Sequence, residues 1–185
     1  MAKDNIAGGI IASPMLIRIA KPDDVPAVLP MVQRICAWHE SMDPARYAFV
    51  PSPAQHYENW LRRRAADPHS VFLVAERVAA AEPSRLTGFL VGTVDDEIGI
   101  YRIRQYGFIH DVWVEPEYRH EGTGRRMVMA ALERFSQIGV CQVRLDTLVS
   151  NEPAQRLFRS CGFRAATVQM LIELGSVPSA DEVGR

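Results

Sequence analysis

The chain has 185 residues, 48% of them apolar, which is enough for one domain with a sizeable core. Its formal net charge is −1, so the sequence provides no global basic field for nucleic acid or for an anionic membrane surface. Three scattered cysteines without a Cys-x-x-Cys pair indicate neither a zinc site nor a disulfide framework. We therefore expect reduced thiols in a cytoplasmic protein without a bound metal.

The two ends of the chain differ in composition from its middle. An uncharged run over residues 5–17 is too short to span a bilayer, and its glycines and proline predict a flexible leader at 1–14. The proline and charged residues at 175–185 predict a loose tail. A single domain is therefore expected over residues 15–174.

Apolar periodicity in the first half of the chain predicts helices and strands in mixed order. Asp23 and Asp24 are suited to cap the first helix, whereas Pro30 must either kink that helix or mark a later start. The predicted elements are a strand at 15–20, a helix after Asp24, a helix at 55–66, and two paired strands at 71–76 and 86–94.

The second half of the chain continues the mixed pattern. Pro116 prevents the central strand from continuing as an interior strand, and Gly139 is placed to end the helix that follows. The predicted elements are a strand at 108–114, a helix at 124–138, a strand at 142–149, a helix at 152–160 and a final strand at 167–174.

The junction between the central strand and the next helix has the composition of an anion-binding site. Gly122 and Gly124 allow a tight turn, and the helix N-terminus adds unpaired N–H groups and the positive end of the helix dipole. Arg119, Arg125 and Arg126 supply local positive charge. A Walker loop is excluded because no Gly-Lys-Ser/Thr follows, and the dinucleotide fingerprint lacks its third glycine. A turn that uses glycine for steric reasons alone is the alternative.

Two motifs together are similar to those of the GNAT superfamily of acyl-CoA N-acetyltransferases. The first is Arg119-His120-Glu121-Gly122-Thr123-Gly124, which matches the pattern Gln/Arg-x-x-Gly-x-Gly/Ala. The second begins at Asn151 about thirty residues later, with Ala154, Leu157-Phe158 and Gly162-Phe163 in the family's order. The resemblance covers residues 15–174. It implies an α/β fold with a mixed, strongly twisted central sheet and helices on both faces.

The resemblance also implies that acetyl-CoA is the co-substrate. The backbone groups of Val112 and Val114 would hold the pantetheine arm between two splayed strands. A backbone N–H near Val114 would stabilise the oxyanion, and one such donor contributes about 3–4 kcal/mol. Asn151 would contact the cofactor and cap the last helix, and Phe158 would pack beside the arm or in the core. The pyrophosphate would lie on the amides of Arg119, His120, Glu121, Gly122, Thr123, Gly124 and Arg125.

A base is useful because a free amine is mostly protonated near neutral pH. Many family members place Glu or His at the positions equivalent to 108 and 110. Here position 108 is Phe, which leaves His110 as the base candidate, with a hydrogen-bonded structural histidine as the alternative. Positions 108, 110 and 112 are expected to share one face of the strand, with Asp111 on the other. Glu115 is a weaker base candidate.

The acid that would protonate the departing thiolate is missing from its usual place. Many family members supply a tyrosine hydroxyl where this chain has Phe158. The acid must then be water or another side chain such as Tyr106 or Cys161, or be absent, and a thiol pKa near 8.5 makes this step undemanding.

The acceptor site should lie on the first two helices and the loop between them. Acidic and aromatic side chains in this region suit a cationic amine, although an ordinary amphipathic helix pair would show similar residues. Trp38, Glu40, Tyr47 and Tyr106 are the substrate-binding candidates. The acidic run at 95–97 can attract a cation or form a solvated loop. The wider group on the two helices comprises His39, Asp43, Phe49, His56, Tyr57 and Trp60.

The sequence thus predicts an N-acetyltransferase that moves an acetyl group from acetyl-CoA to a primary amine of a small molecule, by direct attack through a tetrahedral intermediate. A protein or peptide acceptor and a non-catalytic acyl-CoA sensor are the alternatives. Neither nucleic acid nor membrane is an expected partner. The apolar run at 168–172 is compatible with pairing in a homodimer and equally with an internal strand.

Overall fold

The computed structural model describes residues 15–78 and 84–175. The predicted leader at 1–14 and almost all of the predicted tail at 175–185 lie outside the described residues. No helix among the described residues is both long and apolar enough to cross a membrane.

The described residues form five strands and four helices in mixed order, with 3-10 turns at Pro22–Asp24 and Pro116–Tyr118. The elements, in chain order, are β1 (Met15–Ile19), α1 (Val25–Met42), α2 (Pro53–Ala66), β2 (Val71–Arg77), β3 (Arg85–Asp96), β4 (Gln105–Val114), α3 (Thr123–Ile138), β5 (Val143–Leu145) and α4 (Glu152–Ser160).

The strands form one sheet in the order β1-β2-β3-β4-β5. The first three pairings are antiparallel, whereas β4 and β5 are parallel and are joined by α3. Helices α1 and α2 pack on one face around residues such as Leu61 and Phe89. Helix α3 packs on the other face around Leu90 and Phe135. The mixed sheet between helices on both faces confirms the predicted fold class.

The start of the first helix differs from the prediction in two respects, the effect of Pro30 and the capping by an aspartate side chain. Helix α1 runs unbroken through Pro30, so a later start is wrong, and the missing N–H of Pro30 removes one bond to the carbonyl of Pro26. Asp24 occupies the N-cap position without a side-chain cap. Its carboxylate accepts the N–H of Lys21 at 2.7 Å and forms an ion pair with Arg18 at 2.7 Å.

Two strand predictions in the second half are wrong. Strand β5 covers only three of the eight residues predicted at 142–149. Its pairing with β4 ends at Leu145, so the residues after Leu145 have no strand hydrogen bonds to β4. The segment predicted as a final strand at 167–174 is not part of the sheet. Its apolar side chains are exposed, because the segment pairs with no strand of the described sheet and therefore does not bury them.

A β-bulge in β4 positions the central residues of the site. Val91 of β3 pairs with Asp111, whereas the next residue, Gly92, pairs with Ile109, so His110 is the extra residue. A bulge reverses the alternation of side chains beyond it. His110 and Asp111 therefore both face α2, while Val112 packs in the cluster on the α3 face. The expectation that 110 and 112 share a face, with Asp111 opposite, is wrong for this reason.

Candidate active site

Strand β4 loses its neighbour on one side after Ile109. The β4–β5 pairing covers three residues and ends there, whereas the β3 side remains paired as far as the end of β4. At that end the N–H of Glu115 donates to the carbonyl of Thr87 at 2.8 Å. Backbone groups of successive strand residues point to alternate sides, so those of Val112 and Val114 point away from β3. They line an opening between β4 and β5.

The loop before α3 contains two residues with left-handed backbones. The φ angle is 64° at His120 and 78° at Gly122, and such alternation turns successive N–H groups toward one concavity. The first helical bond of α3 runs from the N–H of Arg126 to the carbonyl of Gly122 at 3.0 Å. The N–H groups of residues 123–125 therefore precede the helical ladder. This loop and helix start contain the predicted pyrophosphate-binding residues as one continuous segment.

Gly124 allows the start of α3 to approach α4 closely. A Cβ at this position would lie 3.3 Å from Cδ2 of Leu157 and 3.9 Å from Cγ2 of Val114. The loop, the end of β4 and the second motif therefore meet at one place, which the sequence could indicate only through the resemblance.

The three arginines of this region have different environments. Arg119 donates from Nε to the carbonyl of Val114 at 2.8 Å, and its guanidinium lies 4.6 Å from the centroid of the Trp113 ring. Arg126 donates to the carbonyl of Met15 at 2.7 Å. Arg125 is exposed at the first turn of α3. Arg119 thus contributes to the loop through its backbone while its side chain holds the end of β4.

Glu115 lies in a structural network at the end of β4. It is only 5% exposed, and one carboxylate oxygen forms an ion pair with Arg34 of α1. Its other oxygen accepts the indole N–H of Trp113 at 3.1 Å. Both oxygens are therefore engaged in tying α1 to β4, which leaves His110 as the stronger base candidate.

His110 lies on the α2 face among aromatic rings and polar groups. The Trp60 ring of α2 meets it edge-on at 5.3 Å between centroids, and the Phe108 ring lies 5.0 Å away. Its Nε2 is 2.8 Å from the hydroxyl of Thr93. Although His110 is exposed on the surface of β4, the neighbouring rings partly desolvate its imidazole and lower its pKa below the ordinary value near 6.5. Asp95 raises that pKa, and Arg64 lowers it further. A lowered pKa keeps the ring neutral at pH 7, as a base requires.

Asp111 is a buried carboxyl group beside this site. It is 8% exposed, and its Oδ2 has no hydrogen-bond partner among the described residues. Burial raises its pKa to about 6, and the hydroxyl of Tyr57 opposes part of that effect. Its negative charge contributes to the raised pKa values of Tyr47 and Tyr57. The site therefore includes a carboxyl group that is protonated more readily than an ordinary aspartate.

Several predicted acceptor residues form one row of aromatic rings. Trp38 stacks on His39 at 5.8 Å, His39 on Tyr47 at 4.8 Å, and Tyr47 on Phe49 at 5.9 Å. Trp38 is partly exposed and also meets Trp113 edge-on at 6.3 Å.

Glu40 and Tyr106 lie apart from those stacks. Glu40 lines a cavity of about 330 Å³ between α1 and the segment 49–53. Tyr106 is covered by the guanidinium of Arg144 at 3.8 Å, and Arg144 forms an ion pair with Glu97 at 2.7 Å. The acidic run at 95–97 is thus partly engaged in contacts within the protein.

The second motif folds as the short helix α4. Asn151 accepts the N–H of Ala154 at 3.2 Å, which agrees with its predicted role as N-cap. Phe158 packs against the hydrophobic cluster on the α3 face and meets Phe163 edge-on at 5.8 Å.

Thr93 is a polar neighbour of His110 that the sequence analysis did not identify. Its hydroxyl lies within hydrogen-bonding distance of both His110 and Asp95. The contact between Thr93 and His110 depends on the register between β3 and β4 and on the bulge. The alternating pattern of either strand predicts neither of them. In the sequence, the contact is indicated only by Thr93 and Asp95, which lie two residues apart on one face of β3.

Comparison with known proteins agrees with this geometry. A family model described as the acetyltransferase (GNAT) family matches residues 32–163. A mycothiol acetyltransferase of Kocuria rhizophila is 31% identical over 105 residues, which are 57% of this chain and 33% of that protein. The chain thus spans about a third of the length of this curated relative.

Solved structures share the fold. The tetramutant of the BH1408 protein from Bacillus halodurans superposes with a TM-score of 0.71 at 21% identity, covering 86% of this chain and 99% of that one. An aminoglycoside N-acetyltransferase, AAC(6')-Iy, solved in complex with CoA, superposes with a TM-score of 0.63 at 16% identity, covering 89% and 97%. The family model spans most of the chain and the architecture agrees, so this protein belongs to the acetyltransferase (GNAT) family.

Proposed function

We propose that the chain is an acetyl-CoA-dependent N-acetyltransferase whose acceptor is a primary amine of a small molecule. The observation that carries the proposal is the presence of three features along the second half of β4 and the loop that follows it. These are the edge of β4 at Val112 and Val114, which has no strand neighbour on its β5 side among the described residues, the loop with left-handed backbones at His120 and Gly122, and His110 on the α2 face. The first two suit an extended, phosphate-bearing co-substrate, and the third suits removal of a proton.

The residues present fit acetyl-CoA as co-substrate. The N–H and C=O groups of Val112 and the N–H of Val114 can hold the pantetheine arm as an added strand would be held, while the carbonyl of Val114 already accepts from Arg119. The N–H groups of residues 119–125 can bind the pyrophosphate, with the positive end of the α3 dipole behind them. Binding of the co-substrate in the opening between β4 and β5 requires no basic side chain there, because backbone N–H groups can supply most of the hydrogen bonds to the arm and the pyrophosphate.

The reaction is a transfer from sulfur to nitrogen. His110 takes a proton from the acceptor ammonium, and the neutral nitrogen attacks the thioester carbonyl carbon. A C–N bond forms, the C–S bond breaks, and the N–H of Val114 stabilises the developing oxyanion. The sulfur leaves as a thiolate and takes the second amine proton through water. Phe158 has no proton to give, and the low pKa of a thiol makes a side-chain acid unnecessary.

A cationic small molecule is the acceptor class that the α2 face supports best. Tyr47, Tyr57 and Trp60 provide aromatic faces, and Asp111 adds a negative charge when it ionises. The named activity of the Kocuria rhizophila relative also concerns a small molecule. The free thiols of the three cysteines fit the cytoplasm as the site of action.

The test is release of CoA thiol from acetyl-CoA against a panel of small amines, amino acids, polyamines and short peptides with free N-termini. Calorimetry measures acetyl-CoA binding in parallel. We expect binding and amine-dependent release, with small cationic amines the most active. Release only with peptides would favour a peptide acceptor. Binding without release across the whole panel would favour a sensor module, and absence of binding would refute the proposal.

A further inference from the structure

The hydroxyl of Thr93 lies between two groups of the candidate site. Its Oγ1 is 2.7 Å from Oδ1 of Asp95 and 2.8 Å from Nε2 of His110. Thr93 is 8% exposed and Asp95 is two residues further along β3, on the same face of the strand. The three side chains thus form a chain of hydrogen bonds that runs from a carboxylate to the imidazole.

This chain of bonds determines which imidazole nitrogen carries the proton. An ionised carboxylate can only accept, so the single hydroxyl hydrogen of Thr93 is donated to Asp95. The oxygen of that hydroxyl must then accept a hydrogen from His110, and Nε2 must be protonated. The neutral ring therefore has its lone pair on Nδ1. The assignment follows from the network rather than from observed hydrogens.

We infer that Thr93 and Asp95 are positioning residues that hold His110 as its Nε2–H tautomer, so that Nδ1 is the atom that takes the proton from the acceptor amine. The inference rests on the proposed function. Neither Thr93 nor Asp95 touches the reacting atoms, and both act through the imidazole.

The proton is transferred in a single step. It leaves the acceptor nitrogen and arrives at Nδ1, and the imidazolium keeps its Nε2–H bonded to Thr93. Asp95 keeps the hydroxyl hydrogen bond throughout, and its charge stabilises the imidazolium. Arg64 on α2 also faces the ring and opposes the imidazolium. Asp111 is the next residue on β4 and faces α2 as well. Trp60 and Phe108 limit rotation of the ring.

The first test is the tautomer itself, measured by ¹⁵N NMR of histidine-labelled protein, with the signal assigned by loss in His110→Gln. The wild type should show Nε2–H and unprotonated Nδ1 above the pKa. Thr93→Val should lose this fixed tautomer, whereas Thr93→Ser, which keeps the hydroxyl, should retain it. Thr87→Val is the matched control, because this buried threonine on the same strand bonds to the carbonyl of Ala75 instead.

The second test is the pH profile of kcat with the best amine. Thr93→Val should lower kcat by about tenfold, a part of the roughly 100-fold or more that a positioned base contributes, while KM for acetyl-CoA stays unchanged. Thr93→Ser should recover most of kcat. Asp95→Asn should shift the acid limb to lower pH, because the imidazolium loses its carboxylate. Asp96→Asn is the matched control, since this neighbour is exposed and bonds to Gln105.

An Nδ1–H tautomer in the wild type would overturn the inference. The inference would also be overturned if Thr93→Val had the same kcat and pH profile as the wild type, because the hydroxyl would then have no effect on His110. Circular dichroism and thermal unfolding of each variant separate lost positioning from lost folding. If no amine supports thiol release, the proposed function fails, yet the tautomer measurement still decides whether Thr93 and Asp95 hold the ring.

Discussion

Asp111 places a buried carboxyl group beside the candidate base on β4. The bulge at His110 turns this carboxyl toward α2, where Oδ2 is buried and has no hydrogen-bond partner within residues 15–78 and 84–175. Raising its pKa from the ordinary value near 3.8 to about 6 corresponds to about 3 kcal/mol at high pH. A buried carboxyl of this kind destabilises the fold when it ionises, and groups with such perturbed pKa values cluster at functional sites.

Asp111→Asn should therefore stabilise the protein in a pH-dependent way. Because the pKa of Asp111 is raised in the folded state, the folded protein holds this proton more tightly than the unfolded chain does. The contribution of Asp111 to the free energy of unfolding of the wild type is therefore highest below pH 4 and falls as pH rises through about 6. Relative to the wild type, the variant should gain up to about 3 kcal/mol of unfolding free energy above pH 7 and little at pH 4. Urea unfolding at several pH values measures this.

The exposed Asp96→Asn serves as control and should show no such dependence. A difference between Asp111→Asn and wild type that stays constant from pH 4 to pH 8 would contradict the account, because it would mean that Asp111 has an ordinary pKa in the fold.

Glu115 should behave as a structural residue. Glu115→Gln removes the charge that pairs with Arg34 while keeping an oxygen for the indole of Trp113. Because Arg34 is half exposed, we expect a loss of only about 1–2 kcal/mol of unfolding free energy. The pH profile of kcat should keep its shape, and a lost acid limb in this variant would instead identify Glu115 as the base.

At the scale of elements, two glycines at the ends of α3 offer a matched comparison. Gly122 and Gly139 have φ angles of 78° and 102°, and a Cβ on either would meet no atom within 4 Å. Substitution by Ala should therefore destabilise each variant by a similar amount, about 1 kcal/mol, through backbone strain alone.

Only one of the two variants should affect co-substrate binding. Gly122→Ala distorts the loop whose N–H groups would hold the pyrophosphate, so its Kd for CoA should rise several-fold. Gly139→Ala, at the far end of the helix, should bind CoA as the wild type does. Calorimetry checks both, and equal Kd values would show that the loop does not carry the phosphates.

The elements that the sequence predicted well are those with their own periodicity. Helices α2, α3 and α4 and strands β2 to β4 agree with the predicted ranges to within a few residues, because each has an apolar face of the right period. The segments at 142–149 and 167–174 failed because a strand needs a partner as well as a pattern. Apolar alternation gives no information on whether a neighbouring strand exists.

The candidate site was predictable to the extent that it is contiguous in the chain. The loop at 119–124 could be identified because its glycines, its arginines and the helix start are adjacent in sequence. The contacts of His110 with Trp60 and Thr93 join three separate elements and depend on the bulge. Such contacts come from the register of the sheet, which a single sequence does not specify.

At the scale of the whole molecule, the segment after α4 leaves apolar side chains in contact with solvent. Val168, Met170, Ile172 and Leu174 are between 77% and 93% exposed. A contiguous run of this kind is typical of an interaction surface. A homodimer through this segment remains the prediction, with a second copy of the chain covering the run.

Light scattering after size-exclusion chromatography tests the dimer. The wild type should have twice the mass of one chain, and Met170→Glu with Ile172→Glu should reduce it to one. Ile100→Glu is the control, since this residue is equally exposed but lies before β4. A wild-type monomer at tens of micromolar would contradict the prediction.

The most direct test of acetyl transfer at this site is CoA thiol release with the best amine from pH 6 to 9, for the wild type beside His110→Ala. The wild type should show amine-dependent release with an acid limb below the ordinary histidine pKa, because partial desolvation of the imidazole lowers that pKa. The variant should bind acetyl-CoA with the same Kd and lose about 100-fold or more in kcat. Equal turnover and an identical pH profile in the two proteins would contradict His110 as the base.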